Sequence, residues 1–358
     1  ARFDEASPEL GHRLRDSLPS LIRAARDAPV VGTDVVIVGA GVAGLAAARA
    51  LRLGGVEDVR VLELHETNGG TSSGGRSAVT PFPWGAHYLP VPRADDVPLA
   101  ALLDEMGLVE GVDPRGVIRI REPYLVRSPE ERIFENGRFH EGERPLDGAS
   151  RASRDAFARF DALVARYIAA RDAHGARAFD NPVERSGRAE DVLALDAMTA
   201  TRFLGTHGLS DARLLAYLDY GVRDDFGCSL DTVSAWALMH YHVSRCADPH
   251  GEPAPQIAFP DGNHTFVRHL AAPLGGRVRT SAMVVDVRDV GDAVEVLGYD
   301  VARDAPLRIH ARRAIVATPK YVAARIVASV REDASRPFAW FTYAPWMVAN
   351  VHLDTRPR

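Results

Sequence analysis

Residues 34–63 read DVVIVGAGVAGLAAARALRLGGVEDVRVLE, and the order of residue types in this stretch decides the fold class. Residues 34–39 are a short apolar run ending in glycine, the pattern of a strand buried on both faces of a parallel sheet. Residues 42–53 predict a helix, which Gly54-Gly55 stops. Residues 59–64 return to a strand pattern. Strand, tight turn, helix and strand within about 30 residues make a βαβ unit.

The turn is Gly39-Ala40-Gly41-Val42-Ala43-Gly44. In such a turn the first glycine bends the chain off the strand, the second lets backbone approach a pyrophosphate, and the third lets helix pack on strand. The helix start at Val42 and Ala43 then offers backbone N–H groups and partial positive charge to phosphates. Glu63 ends the second strand, where a carboxylate can accept from ribose hydroxyls. An acid there favours an unphosphorylated ribose, as in FAD or NAD, over NADP. The alternative is a tight turn with no ligand; the strand before it, the helix after it and the acid at the right distance argue for a nucleotide.

The rest of the chain sets the frame. At 358 residues it has room for two domains, and 46% hydrophobic with 25% charged residues fits a globular protein. A formal charge of −5 gives no electrostatic support for binding nucleic acid. Lys320 is the single lysine among 43 basic residues, so amine chemistry from the protein is scarce. Cys228 and Cys246 are too few for a disulfide framework and lack metal spacing. No apolar run reaches a membrane-spanning length. The start at Ala1 fits removal of an export signal or a trimmed chain, so the compartment stays open between cytoplasm and export.

Residues 1–32 predict a leader helix, with Ser7-Pro8 as cap and first position. Residues 97–107, 149–176 and 197–244 read as helical, 117–145 as short strands with a turn at Glu135-Asn136-Gly137, and 248–260 as a Pro-rich break. A hairpin around Gly291-Asp292 and an apolar strand at 307–317 come next, then a helix at 320–331. Two histidines, His240 and His242, form H-x-H on a helix, which points the rings to different faces, so no metal site is assigned. No P-loop or G-x-S-x-G elbow occurs. Asp224-Asp225 could attract a cation, although a solvated face explains them as well. The aromatic residues Phe338, Trp340, Phe341, Tyr343 and Trp346 read as core and edge packing or as a pocket wall.

The residues after Glu63 distinguish FAD from NAD. Leu64-His65-Glu66-Thr67-Asn68-Gly69-Gly70, Gly74-Gly75-Arg76-Ser77 and Trp84-Gly85-Ala86-His87-Tyr88 resemble the flavin amine oxidase superfamily. So do Pro260-Asp261-Gly262-Asn263 with Leu270, and Ala314-Ile315-Val316-Ala317-Thr318-Pro319. The resemblance is collinear over about 33–120 and 255–353; the helical middle matches in character only. It implies an α/β fold in which a Rossmann-like FAD-binding domain, 33–90 and 255–330, is interrupted by a mainly helical substrate domain, 91–254 and 331–358. It implies FAD held at its ADP half by Gly39, Gly41, Gly44 and Glu63 with Leu64, by Gly69, Gly70 and Arg76 toward the middle, and by backbone near Val284 at the adenine. Gly85 and Ala86 would pass beside the isoalloxazine, and His87 and Ala317 are further cofactor-binding candidates. Tyr88, Tyr343, Trp346 and Asn350 are the substrate-side candidates.

Two departures from the family pattern stand out. The family's C-terminal flavin-binding segment has no counterpart, so a further piece, as a remainder of the polypeptide or a second subunit, is expected. Asn350, in Ala349-Asn350-Val351-His352-Leu353, occupies the place of the lysine that many amine oxidases use to hold a water near the flavin. The expected activity is oxidation of an amine or similar C–H substrate, with oxygen as the reoxidant because no second dinucleotide fingerprint is present. A desaturase or dehydrogenase of an apolar substrate, an NAD enzyme and a non-catalytic flavoprotein subunit are the alternatives.

Overall fold

A computed structural model describes residues 8–127, 131–246, 254–333, 335, 337–353 and 355. The candidate cap Ser7 and much of the Pro-rich break at 248–260 lie outside them. The chain forms two compact units. One comprises residues 1–87, 259–342 and 348–358; the other comprises 88–258 and 343–347.

The first unit is built on a six-stranded sheet. Its strands run in the order Val278–Arg279, Val59–Leu62, Val30–Val38, Ala305–Val316, Ala293–Asp300 and Ala282–Val290. The first four pair in parallel and the last three form an antiparallel meander. The leading strand begins at Val30, earlier than its apolar pattern suggests, because Val30–Thr33 pair with Arg308–Ala311. The leader helix accordingly ends at Arg26 and not near residue 32. Its apolar stripe, Leu14, Leu18, Leu21, Ile22 and Ala25, packs against Met283, Val285 and Leu297 of the meander. Val36 and Ile37 are fully buried, as an inner parallel strand requires. The crossover helix Val42–Leu53 closes on Gly54, and Gly55 takes a left-handed φ of 81°.

Segment 331–358 does not follow the helical part as a whole: residues 331–342 and 348–358 group with the first unit. The reason is local. The His352 ring stands edge-on to Phe82 at 5.2 Å, and the Asn350 amide donates to the Pro83 carbonyl at 2.9 Å.

The second unit is mainly helical. Arg151–Ala169 is capped by Ser150, Ala212–Phe226 by Asp211 and Ala235–Ser244 by Ser234, each side chain accepting from a first-turn N–H. Phe157, Phe160, Leu163 and Ile168 share one core with Leu214, Leu218, Leu238 and Met239. The first helix stops at Ala169, short of residue 176, where Arg171 and Arg177 form a bridge instead. The expected turn at Asn136-Gly137 joins Arg132–Glu135 to Arg138–Glu141, with φ of 52° and 82°.

His242 lies inside this core, edge-on to Phe160 at 4.9 Å, and its Nε2 is buried without a hydrogen-bond partner. Burial pushes its imidazole down to about 3 from 6.5. The neutral ring is therefore favoured by the fold, whereas the unfolded chain binds a proton below about 6.5. This contribution to stability is complete above that pH and is lost as pH falls toward 3. Urea unfolding at pH 7 and pH 5 should show the loss, with one proton taken up on unfolding worth about 1.4 kcal/mol per pH unit. His242→Phe should flatten that slope; an unchanged slope would refute the assignment.

Candidate cofactor site

The dinucleotide turn sits at the carboxyl ends of the parallel strands, the usual crevice for a ligand in such sheets. Gly39 has a φ of 104°, and a Cβ there would stand 2.6 Å from the Ala317 carbonyl oxygen. A Cβ at Gly44 would stand 1.9 Å from the Gly39 carbonyl oxygen. Both positions exclude any side chain. Gly41 differs: its φ of −71° suits any residue, and the nearest atom to a built Cβ is the Gly69 oxygen at 3.9 Å. The fold itself does not require glycine there, so the open space above it is what a ligand would use.

The helix behind Gly41 has no side-chain cap and no acid in its first turn. Val42 is 39% exposed, so the first-turn amides face outward. Uncapped N–H groups and the positive end of a 12-residue helix suit an anion.

Glu63 is buried, and its carboxylate accepts from Ala40 N at 2.8 Å and from His65 N at 3.0 Å. It therefore clamps the turn as well as facing the expected ribose; a carboxylate has about four lone-pair sites, and two are spent here. Leu64 beside it is exposed. Val284 is brought near by the meander, since Ala282 N donates to Glu63 O at 2.7 Å, and its side chain points into the core.

A run of backbone hydrogen bonds carries the site onward. Gly69 N donates to Ala40 O at 2.9 Å, Ala86 N to Thr71 O at 2.9 Å, and Asn263 N to Ala86 O at 3.0 Å. Gly70 continues in left-handed conformation at φ 56°. Gly85 cannot carry a side chain, because its Cβ would meet the Thr71 oxygen at 2.4 Å. The His87 ring nitrogen Nδ1 lies 3.1 Å from Gly85 O. Arg76 ends a three-residue strand paired with Pro81–Pro83 and is exposed. Ala317 backs the turn, its N–H on Val38 O at 2.8 Å.

Two residues carry no motif that would mark them in the sequence. Thr318 Oγ1 and His264 Nδ1 are buried without hydrogen-bond partners. Thr318 lies against Gly39 through its methyl group and His264 against Gly74 through Cβ and its ring, so both residues border the same run. Their only signal in sequence is position: Thr318 comes after Ala317, and His264 opens the helix after Gly262-Asn263. Buried polar atoms without partners are rare in finished structures, and a polar ligand would satisfy them. The residues present thus fit a dinucleotide.

The substrate-side candidates divide. Asn350 belongs to the first unit, on the Pro83 carbonyl beside Trp84 and Gly85. Tyr88, Tyr343 and Trp346 belong to the second. There Ala344 packs on Gly227, and Tyr343 and Trp346 are 53% and 64% exposed. Trp340 is 83% exposed, so the aromatic residues at 338–346 do not form a core. Of the Asp224-Asp225 pair, Asp225 is committed to Arg245, whose guanidinium stacks on Tyr241 at 4.2 Å. The Asp224 charge is the chief cause that raises the pKa of the exposed Tyr220 phenol. Among the described residues no group of three or more His, Cys, Asp and Glu is placed to hold a metal, and no helix is long and apolar enough to cross a membrane.

Known proteins bear on this geometry. No curated protein matches the chain. Its fold is similar to putrescine oxidase (22% identity, TM-score 0.55, 83% of this chain and 60% of that one). It is also similar to a fatty acid isomerase from P. acnes (20%, 0.56, 83% and 61%) and to cyclohexylamine oxidase from Brevibacterium oxydans (18%, 0.54, 82% and 60%). The chain thus spans about three fifths of the length of these structures. The model of the flavin-containing amine oxidoreductase family matches residues 42–358. The chain belongs to that family, whose cofactor is FAD.

Proposed function

We propose that this chain is the larger part of an FAD-dependent oxidoreductase that oxidises an amine or a similarly activated C–H substrate, with oxygen as the final acceptor. The observation that carries the proposal is the Gly39–Gly44 turn, packed on Ala317 and clamped by Glu63, with an open position at Gly41. When bound, FAD supplies the two-electron acceptor; the protein supplies binding, orientation and exclusion of water.

Gly41 and the amides of Val42 and Ala43 would hold the pyrophosphate, and Glu63 the ribose. Gly69, Gly70, Arg76, Thr318 and His264 would line the middle, and Gly85, Ala86 and His87 the isoalloxazine. On the substrate side, Asn350 has its amide N–H on Pro83 O, which leaves Oδ1 to accept from a substrate or a water. We also infer that a further part of the polypeptide, or a second subunit, completes the site, since this chain covers 60% of the putrescine oxidase and cyclohexylamine oxidase structures. A second reading, oxidation or isomerisation of an apolar substrate, is favoured by Asn350 in the lysine's place and by the likeness to a fatty acid isomerase.

Two measurements test this. Gly41→Val should leave the far-UV circular dichroism and melting temperature near those of the parent yet abolish FAD uptake, read as loss of the visible flavin bands. Gly44→Ala should instead destabilise the fold itself by about 1–3 kcal/mol, because backbone must move to admit the methyl. Unimpaired FAD binding in Gly41→Val would overturn the site. Separately, anaerobic addition of mono- and diamines to the complete FAD-loaded protein should bleach the flavin, with recovery on admission of air. Bleaching by unsaturated fatty acids alone would establish the second reading, and a yellow protein bleached by neither would be a non-catalytic flavoprotein.

A further inference from the structure

A cavity of about 560 Å³ opens in the first unit, and none of Gly39, Gly41, Gly44 and Glu63 lines it. Five arginines do: Arg60, Arg277, Arg279, Arg303 and Arg308, over a floor that includes Leu62 and Ile309. The charges do not balance. Arg279 and Arg303 share one carboxylate oxygen of Asp300, which is fully buried. Arg308 pairs with Glu295 at 2.9 Å, and Arg277 reaches Glu57 at 3.4 Å. Arg60 has no ion-pair partner among the described residues. Five guanidinium groups thus meet three carboxylates.

The position of Arg60 is itself unusual. It lies inside Val59–Leu62, a strand flanked on both sides by parallel neighbours, and it is exposed while the residues around it are buried. Inner strands of parallel sheets are ordinarily covered on both faces by apolar packing. An unpaired cation held there, next to others, is repelled by them and gains from an added anion. Guanidinium forks match phosphate oxygens two at a time. The volume falls in the range that holds a small ligand.

We infer that this cavity is a second anion site, separate from the FAD turn, and that it takes a compact diphosphate group, either free pyrophosphate or the diphosphate of a nucleotide. The test uses protein saturated with FAD, so that the Gly39–Gly44 turn is filled. Calorimetric titration with sodium pyrophosphate at about 0.15 M ionic strength should show one saturable site per chain. Arg60→Glu should weaken it by about tenfold or more, since a charge-assisted contact becomes a repulsion. Arg303→Ala should weaken it severalfold, with Arg279 left on Asp300. The flavin spectrum should be unchanged in Arg60→Glu. A parallel titration with ADP separates the sources: tighter binding than pyrophosphate points to a nucleotide, weaker binding to the free ion. Absence of saturable heat up to about 1 mM pyrophosphate, or equal affinity in Arg60→Glu, overturns the proposal. Should the protein fail to take up FAD, pyrophosphate bound at the empty turn would be insensitive to Arg60→Glu, so the two ideas fail separately.

Discussion

The contact between Gly39 and the carbonyl of Ala317 is the constraint on which the first unit is organised. It brings the end of the leading strand against the end of a strand nearly 280 residues later. Neither backbone could come so close with a side chain between them. Ala317 N–H on Val38 O locks the same junction from the other side. With the two strand ends fixed, the crossover helix must start over the gap between them, and Gly44 lets it settle onto the Gly39 carbonyl. The anion-facing helix start is therefore a consequence of sheet closure and does not need a ligand to form it.

Glu63 extends that rigidity to the polar side of the crevice. Its two backbone partners, Ala40 and His65, belong to the turn and to the loop leaving the second strand. A carboxylate fixed from both sides is already oriented before a ribose arrives, which spares the ordering of a free side chain on binding. From Ala40 the hydrogen-bonded run through Gly69, and from Thr71 through Ala86 to Asn263, ties the backbone of the 69–87 loop to the rest of the first unit, and Asn350 and His352 add side-chain contacts at Pro83 and Phe82.

Much of this is legible in sequence because its cause is local. The glycines of the turn, the acid at Glu63 and the Asn136-Gly137 hairpin each arise from backbone conformation or strand period. The features that are not legible depend on distant partners. The leading strand starts at Val30 because Arg308–Ala311 lie alongside it. Segment 348–353 joins the first unit through Pro83 and Phe82, and no periodicity within it announces this. Thr318 and His264 become visible as site residues only when burial leaves one atom of each without a partner. The same applies to Asp225, which reads as a free acid in sequence and is tied to Arg245 in space.

In the proposed reaction Asn350 is the substrate-side group of the first unit. Asn350 does not titrate, and its amide already serves Pro83. Lys320, the single lysine, places its side-chain nitrogen over the Phe338 ring at 5.4 Å. In the proposed reaction Asn350 therefore could not take the proton of an amine. Its contribution would be to hold the substrate in place and to set which molecules fit.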